Sequence, residues 1–149
     1  MLLVLAISCT KPLPVPDGDV AATLASAPAI GEHAFDPASL LGKPTLVMFV
    51  SPTCEHCLAE LPRAQAVAKE TEANIVAVFV IGKKANAEAV ARSTHFEGTV
   101  LLDDGTLRKK YDITGVPYTL VLKRDGHAVV ALRGEQDEAA IRDALGSAR

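Results

Sequence analysis

The chain has 149 residues, which is the length of one domain with a sizeable hydrophobic core. Its 49% of apolar and 22% of charged residues are an ordinary globular balance. The formal net charge of −3 leaves no basic surface for nucleic acid, and no apolar run reaches the roughly 20 residues of a membrane helix. We therefore expect one globular domain that does not bind nucleic acid and meets a membrane only through an anchor.

The N-terminal residues predict such an anchor. Residues 1–9 resemble a signal remnant, because residues 1–7 are wholly apolar and Leu5-Ala6-Ile7-Ser8-Cys9 is similar to a bacterial lipobox, whose cysteine is lipidated. No Lys or Arg precedes the apolar stretch, so an incidental free cysteine at Cys9 stays open as the alternative. Residues 10–30 are rich in Pro and Ala and predict an extended, poorly ordered spacer, with the folded domain at residues 31–149.

Apolar runs alternate with amphipathic segments along the rest of the chain, which predicts an α/β domain. The predicted elements are a helical turn at 37–42, strands at 45–50, 75–81, 99–102, 119–122 and 127–132, and helices at 54–72, 86–94, 107–111 and 136–148. The order strand, helix, strand over residues 45–81 predicts parallel strands joined by a right-handed crossover. Residues 123–126 predict a hairpin between the last two strands.

A pair of cysteines three residues apart, in Cys54-Glu55-His56-Cys57, opens the first long helix. A helix N-terminus presents unpaired N–H groups and a partial positive charge, which favour the thiolate that attacks disulfides. We expect Cys54 to be the accessible nucleophile and Cys57, one turn further, to resolve the mixed disulfide. A cationic His56 favours the Cys54 thiolate and Glu55 opposes it, so this dipeptide is expected to tune the redox potential. His56 as an ordinary exposed helix residue is the alternative.

The same spacing has two further interpretations. A Cys-x-x-Cys pair can be half of a zinc or copper site, but zinc takes four ligands and the chain has no second cysteine pair, so we expect no metal ligands. A purely structural disulfide is also disfavoured, because so short a loop adds little stability.

The residues around the pair resemble the thioredoxin superfamily. The resemblance rests on residues 49–57, on Pro62 inside the helix and on Gly115-Val116-Pro117. The spacing from Cys57 to Glu60 and Pro62 is similar to that of one branch of the superfamily, the TlpA/ResA-like thiol–disulfide oxidoreductases, which are exported and often tethered to a membrane. It implies a thioredoxin-like fold, in which helices flank a central mixed β-sheet, with an extra helix and strand between residues 82 and 103 and a C-terminal β-hairpin followed by a helix.

The resemblance also implies roles for single residues. Pro117 would be a cis-proline facing the disulfide, with Val116 offering its backbone to an extended substrate; an ordinary strand-entry proline is the alternative. Glu60 would accept a proton from Cys57, and a solvated helix glutamate is the alternative. Met48 stands where cytosolic thioredoxins often carry a buried acid, and Thr53 stands where tryptophan is usual.

The function that follows is thiol–disulfide exchange with protein thiols and disulfides, with no cofactor beyond the Cys54–Cys57 disulfide. The resemblance implies a monomer in the cell envelope, on the periplasmic side of a bacterial membrane, with apocytochrome c and an upstream redox protein as partners. Family membership favours reduction, whereas His56 favours oxidation or isomerisation. One alternative is a thioredoxin-like copper chaperone that uses Cys54, Cys57 and a histidine. Another is a thiol peroxidase, but the single cysteine supported by Thr and Arg that such an enzyme uses is not apparent in this sequence.

Overall fold

The fold is described from a computed structural model over residues 13–31 and 34–149. Cys9 and the expected lipobox lie outside these residues. The described elements, in chain order, are α1 (Val20–Leu24), a 3₁₀ helix (Pro37–Leu40), β1 (Thr45–Val50), α2 (Glu55–Glu70), β2 (Asn74–Phe79), α3 (Lys84–Ser93), β3 (Thr99–Leu102), α4 (Thr106–Lys110), β4 (Tyr118–Leu122), β5 (Ala128–Arg133) and α5 (Glu138–Gly146).

The five strands form one mixed sheet in the order β3-β2-β1-β4-β5. Strands β1, β2 and β3 are parallel, while β4 runs antiparallel to β1 and pairs with β5 as the predicted hairpin. All six residues of β1 are buried, as expected of a continuously apolar strand at the centre of a sheet covered on both faces. The predicted α/β fold with a mixed sheet is confirmed.

Alternate residues of β1 face two separate hydrophobic clusters. Met48 and Val50 pack in the cluster formed with α2, α3 and α5, which contains Cys57 and Leu61. Val47 and Phe49 belong to the cluster on the opposite face, which α1, the 3₁₀ helix and α4 cover. Helices therefore lie on both faces, and the residues that begin α2 are held at the end of the most deeply buried strand.

The expectation of a poorly ordered spacer is wrong for the stretch around α1. Asp19 caps this helix by accepting the Ala22 N–H at 2.9 Å, and Val20 and Leu24 are fully buried. The Val20 N–H donates to the Gly126 carbonyl at 3.1 Å. Gly126 has a φ of +88°, and a Cβ there would lie 2.8 Å from Asp19 Oδ1, so the close approach requires glycine. A helix of five residues is too short for its apolar periodicity to outweigh a Pro- and Ala-rich composition.

Candidate functional site

The cysteine pair lies where β1 ends and α2 begins, at the carboxyl edge of the parallel strands. Cys54 is the N-cap of α2, and its Sγ accepts the Cys57 N–H at 3.2 Å. The sulfur itself thus takes a free N–H of the first turn, in the place that a polar side-chain oxygen usually fills. Cys54 is partly exposed and Cys57 is fully buried, and both are free thiols. The pair thus has one accessible and one hidden sulfur.

Burial makes Cys57 hard to ionise. It raises the pKa of the Cys57 thiol to about 12, and the neighbouring Cys54 sulfur and the Glu60 carboxylate add to the rise. Cys57 is therefore a thiol at neutral pH. To act as a nucleophile it has to transfer its proton to a group close by.

The loop before β4 lies against Cys54. The Val116–Pro117 peptide bond is cis, as the resemblance implied. Cys54 Sγ lies 3.8 Å from the Val116 carbonyl oxygen, and the Pro117 carbonyl accepts the Gly134 N–H at 2.9 Å. The structure therefore brings together the two cysteines and both residues expected to contact substrate, although 62 positions separate Cys54 from Val116. Their part in substrate binding stays a prediction.

Glu60 is fully buried, so the alternative of a solvated helix glutamate is wrong. Its Oε2 accepts the backbone N–H of Gln136 at 3.2 Å. The pKa of Glu60 is raised to about 7, chiefly by burial and also by the Glu135 carboxylate, while the Gln136 N–H and the Arg63 guanidinium oppose the rise. Glu60 lies one helical turn after Cys57, so both side chains project from the same side of α2.

The residues between the cysteines are exposed. His56 has 74% of its side chain accessible, and its Nδ1 lies 3.5 Å from Glu135 Oε2. The second oxygen of Glu135 accepts from Arg63 Nη2 at 3.4 Å. Glu55 is exposed in the first turn of α2. Tuning of the redox potential by Glu55 and His56 stays a prediction.

Sequence reasoning missed the segment from Gly134 to Gln136, which joins β5 to α5. It contacts three parts of the site: Pro117 through the Gly134 N–H, His56 through the Glu135 carboxylate, and Glu60 through the Gln136 N–H. The Gln136 side chain holds the segment in shape by donating to the Arg133 and Gly134 carbonyls, both at 3.1 Å. No local pattern marks these residues, since Glu135 and Gln136 contact residues of α2 that are more than 70 positions away in the chain.

Nothing in the described part of the chain supports the copper-chaperone alternative. Within residues 13–31 and 34–149, no three His, Cys, Asp or Glu side chains are arranged to hold a metal ion. Over the same residues, no helix is long and apolar enough to cross a membrane.

Comparison with known proteins agrees with this architecture. The family model described as a thioredoxin-like domain matches residues 31–149. The methylamine utilization protein MauD of Methylobacillus flagellatus is 28% identical over 85 residues, which are 57% of this chain and 41% of that protein. The MauD protein of Methylophilus methylotrophus is similar at 27% identity. The chain thus spans about two fifths of the length of these relatives.

Two solved structures share the fold at low sequence identity. A thiol:disulfide interchange protein of the thioredoxin family from Chlorobium tepidum superposes with a TM-score of 0.74 at 21% identity, over 93% of this chain and 97% of that one. A secreted Mycobacterium tuberculosis disulfide oxidoreductase, homologous to E. coli DsbE, gives a TM-score of 0.69 at 24% identity, over 80% and 92% of the two chains. With the family match over residues 31–149, these findings confirm the predicted thioredoxin-like fold, and the chain belongs to the thioredoxin-like domain family.

Proposed function

We propose that this domain is a thiol–disulfide oxidoreductase that exchanges disulfides with protein substrates through Cys54 and Cys57. One observation carries the proposal: an accessible sulfur caps a helix and lies 3.8 Å from a carbonyl in the loop that precedes β4, with a second sulfur buried behind it. The first sulfur can attack a disulfide outside the protein, and the second is reachable only from inside. A structural disulfide would not need this asymmetry.

In the reducing direction the cycle starts from the dithiol. The Cys54 thiolate attacks one sulfur of the substrate disulfide, forms a mixed disulfide and releases the other sulfur as a thiolate, which takes a proton from solvent. Cys57 then loses its proton and attacks Cys54 Sγ, which forms the Cys54–Cys57 disulfide and releases the second substrate thiolate to be protonated by solvent. The substrate gains two electrons and two protons, and a reducing partner protein restores the dithiol.

Glu60 is proposed as the proton acceptor in the second step. Its pKa of about 7 suits a group that takes and releases a proton near neutral pH. In the mixed disulfide the free Cys54 sulfur no longer raises the pKa of Cys57, so proton transfer becomes easier at the point in the cycle where it is needed. The extended substrate segment is proposed to lie against the Val116 backbone and Pro117, beside the sulfur that it reacts with.

The setting we propose is the cell envelope, on the periplasmic side of a bacterial membrane, with the protein acting as a monomeric reductase. The similarity to a secreted disulfide oxidoreductase supports export, and Cys9 is the proposed site of a lipid anchor. Apocytochrome c, in the maturation of c-type cytochromes, is the proposed substrate, and an upstream redox protein supplies electrons.

Reduction of insulin in the presence of dithiothreitol tests the activity. We expect the wild-type chain to accelerate insulin reduction and Cys54→Ser to reduce the rate to that of dithiothreitol alone. Thr53→Ser is the matched control, because it changes the exposed neighbouring residue without removing a thiol. A normal rate in the Cys54→Ser variant would overturn the proposal.

A further inference from the structure

Two buried side-chain atoms lack a hydrogen-bond partner within the described residues 13–31 and 34–149: Glu60 Oε1 and Thr119 Oγ1. Glu60 is 0% exposed and Thr119 is 2% exposed. Buried polar atoms are almost always paired, and an unpaired one costs free energy, so two such atoms in one region call for a physical explanation. Neither the sequence pattern nor the proposed cycle gives a role to Thr119.

Both side chains are buried on the side of the sheet that α2 covers. Thr119 lies in β4 directly opposite Met48, and Met48 packs in the same core cluster as Cys57 and Leu61 of α2. Val121, two residues after Thr119 and on the same face of the strand, belongs to that cluster as well. The Thr119 hydroxyl lowers the pKa of Glu60 against the effect of burial, which agrees with a position near the carboxyl, although the two groups form no hydrogen bond in this conformation.

A threonine hydroxyl can serve either protonation state of a carboxyl group. It donates its proton to a carboxylate oxygen, and after rotation it accepts a proton from the O–H of the carboxylic acid. The Gln136 N–H at Oε2 can only donate. Thr119 is thus the neighbour of Glu60 that is able to hydrogen-bond before and after the carboxyl gains a proton.

We infer that Thr119 is a positioning residue that keeps the Glu60 carboxyl hydrogen-bonded through its gain and loss of a proton. The inference rests on the proposed role of Glu60 as the proton acceptor for Cys57. When Cys57 is deprotonated, its S–H bond breaks and an O–H bond forms on Glu60. By a small rotation of the side chains, Glu60 Oε1 and Thr119 Oγ1, which are unpaired in this structure, become partners, and the hydroxyl changes from donor to acceptor when the carboxyl gains a proton.

The other charged and titratable groups that act on Glu60 are few. Arg63 and Cys57 project from α2 itself, and Glu135 with the Gln136 N–H comes from the segment between β5 and α5. A substitution at Thr119 leaves all four in place. A change in the titration of Glu60 in such a variant therefore reports the hydroxyl and not the surrounding charge.

Thr119→Val tests the inference, because valine keeps the branched shape and removes the hydroxyl. We expect the titration midpoint of the Glu60 carboxyl, followed by ¹³C NMR in the folded full-length chain, to move up by about one pH unit, because the hydrogen bond that valine removes is stronger with the carboxylate than with the neutral acid. The midpoint of the rate at which Cys57 resolves a preformed mixed disulfide should rise equally, with the plateau at high pH unchanged. Thr119→Ser should restore both midpoints, and Thr119→Ala should repeat the effect of valine.

The outcomes separate the two levels of the proposal. An unshifted carboxyl midpoint in both Thr119→Val and Thr119→Ala, or a serine variant that behaves like valine, would overturn the role of Thr119. A carboxyl midpoint that moves while the rate profile stays fixed would overturn the proton-acceptor role of Glu60. Glu60→Gln checks the second point independently, because it should abolish the rise of the resolution rate through pH 7.

Discussion

At the scale of single residues, Glu60 is a carboxyl group in an environment unlike that of an ordinary surface side chain. It is fully buried, and among the described residues it receives one backbone N–H at 3.2 Å. Burial stabilises its neutral form, which raises its pKa to about 7 from the ordinary value of 4.5. A group that is expensive to ionise in the folded protein makes stability depend on pH.

The sign of this dependence can be predicted. Since the folded-state pKa is raised, the contribution of Glu60 is fully present below the unfolded pKa of 4.5 and is lost as pH rises through about 7. We expect Glu60→Gln, which stays neutral, to gain stability relative to wild type between pH 4.5 and pH 8, by up to about 3 kcal/mol. Urea denaturation of both proteins at several pH values measures this difference.

Glu70→Gln is the matched control for this measurement. Glu70 lies on the same helix but is exposed, and it pairs with Arg142 at 2.9 Å. Loss of this exposed ion pair should lower the free energy of unfolding by no more than about 1 kcal/mol at any of these pH values. A stability difference between wild type and Glu60→Gln that does not change with pH would contradict the raised pKa.

At the scale of elements, the N-terminus of α2 decides how the sulfur of Cys54 behaves. The helix supplies the Cys57 N–H to Cys54 Sγ at 3.2 Å, and it holds Glu55 and His56 in its exposed first turn. A protonated His56 would favour the thiolate and make the protein a stronger oxidant, but 74% of its side chain is in solvent, where charge is screened. The Glu135 carboxylate also lies beside the imidazole, and its negative charge offsets the effect of a positive charge on His56 at the sulfur.

We therefore expect the Cys54–Cys57 pair to have a reducing potential, near the value of about −270 mV found for thioredoxin and far from the value of about −120 mV found for DsbA. Equilibration of the pair with glutathione measures this potential. His56→Ala should lower the potential by less than about 30 mV, because an exposed charge contributes at most about 1 kcal/mol. His127→Ala is the control, since His127 pairs with Asp125 at the far end of the β4–β5 hairpin. A potential near −120 mV, or a fall above about 60 mV in His56→Ala, would contradict this view of the helix tip.

Sequence patterns predicted the elements well wherever local signals were strong. The bounds of β1 and β3 agree with the prediction, and α2 begins at the cysteine pair as predicted. These predictions succeed because continuous apolar strands and helix periodicity are local properties of the sequence. Glu60 could be singled out by the family resemblance, which includes its spacing from Cys57. Its burial could not, because Gln136 and Thr119 reach it from 76 and 59 positions further along the chain. The short helix α1 was missed because its stability comes from docking onto the hairpin at Gly126.

At the scale of the whole molecule, the sheet positions three separate segments around one sulfur atom. Strand β1 leads to Cys54, β4 starts directly after Pro117, and β5 ends at the segment that covers Glu60. The antiparallel pairing of Phe49 with Tyr118 fixes the start of β4 beside the end of β1. The same pairing brings the Val116 carbonyl to 3.8 Å from Cys54 Sγ. The central claim is that this arrangement makes Cys54 the attacking sulfur and Cys57 the resolving one.

Trapping of the mixed disulfide tests that claim most directly. Cys57→Ser is incubated with a disulfide-containing protein substrate, and the products are identified by intact mass and peptide mapping. We predict one covalent adduct, joined through Cys54 and stable until dithiothreitol is added. The Cys54→Ser/Cys57→Ser double variant, which keeps Cys9, should form none. An adduct in the double variant would contradict the account. So would the opposite pattern, in which Cys57→Ser forms no adduct and Cys54→Ser forms one through Cys57.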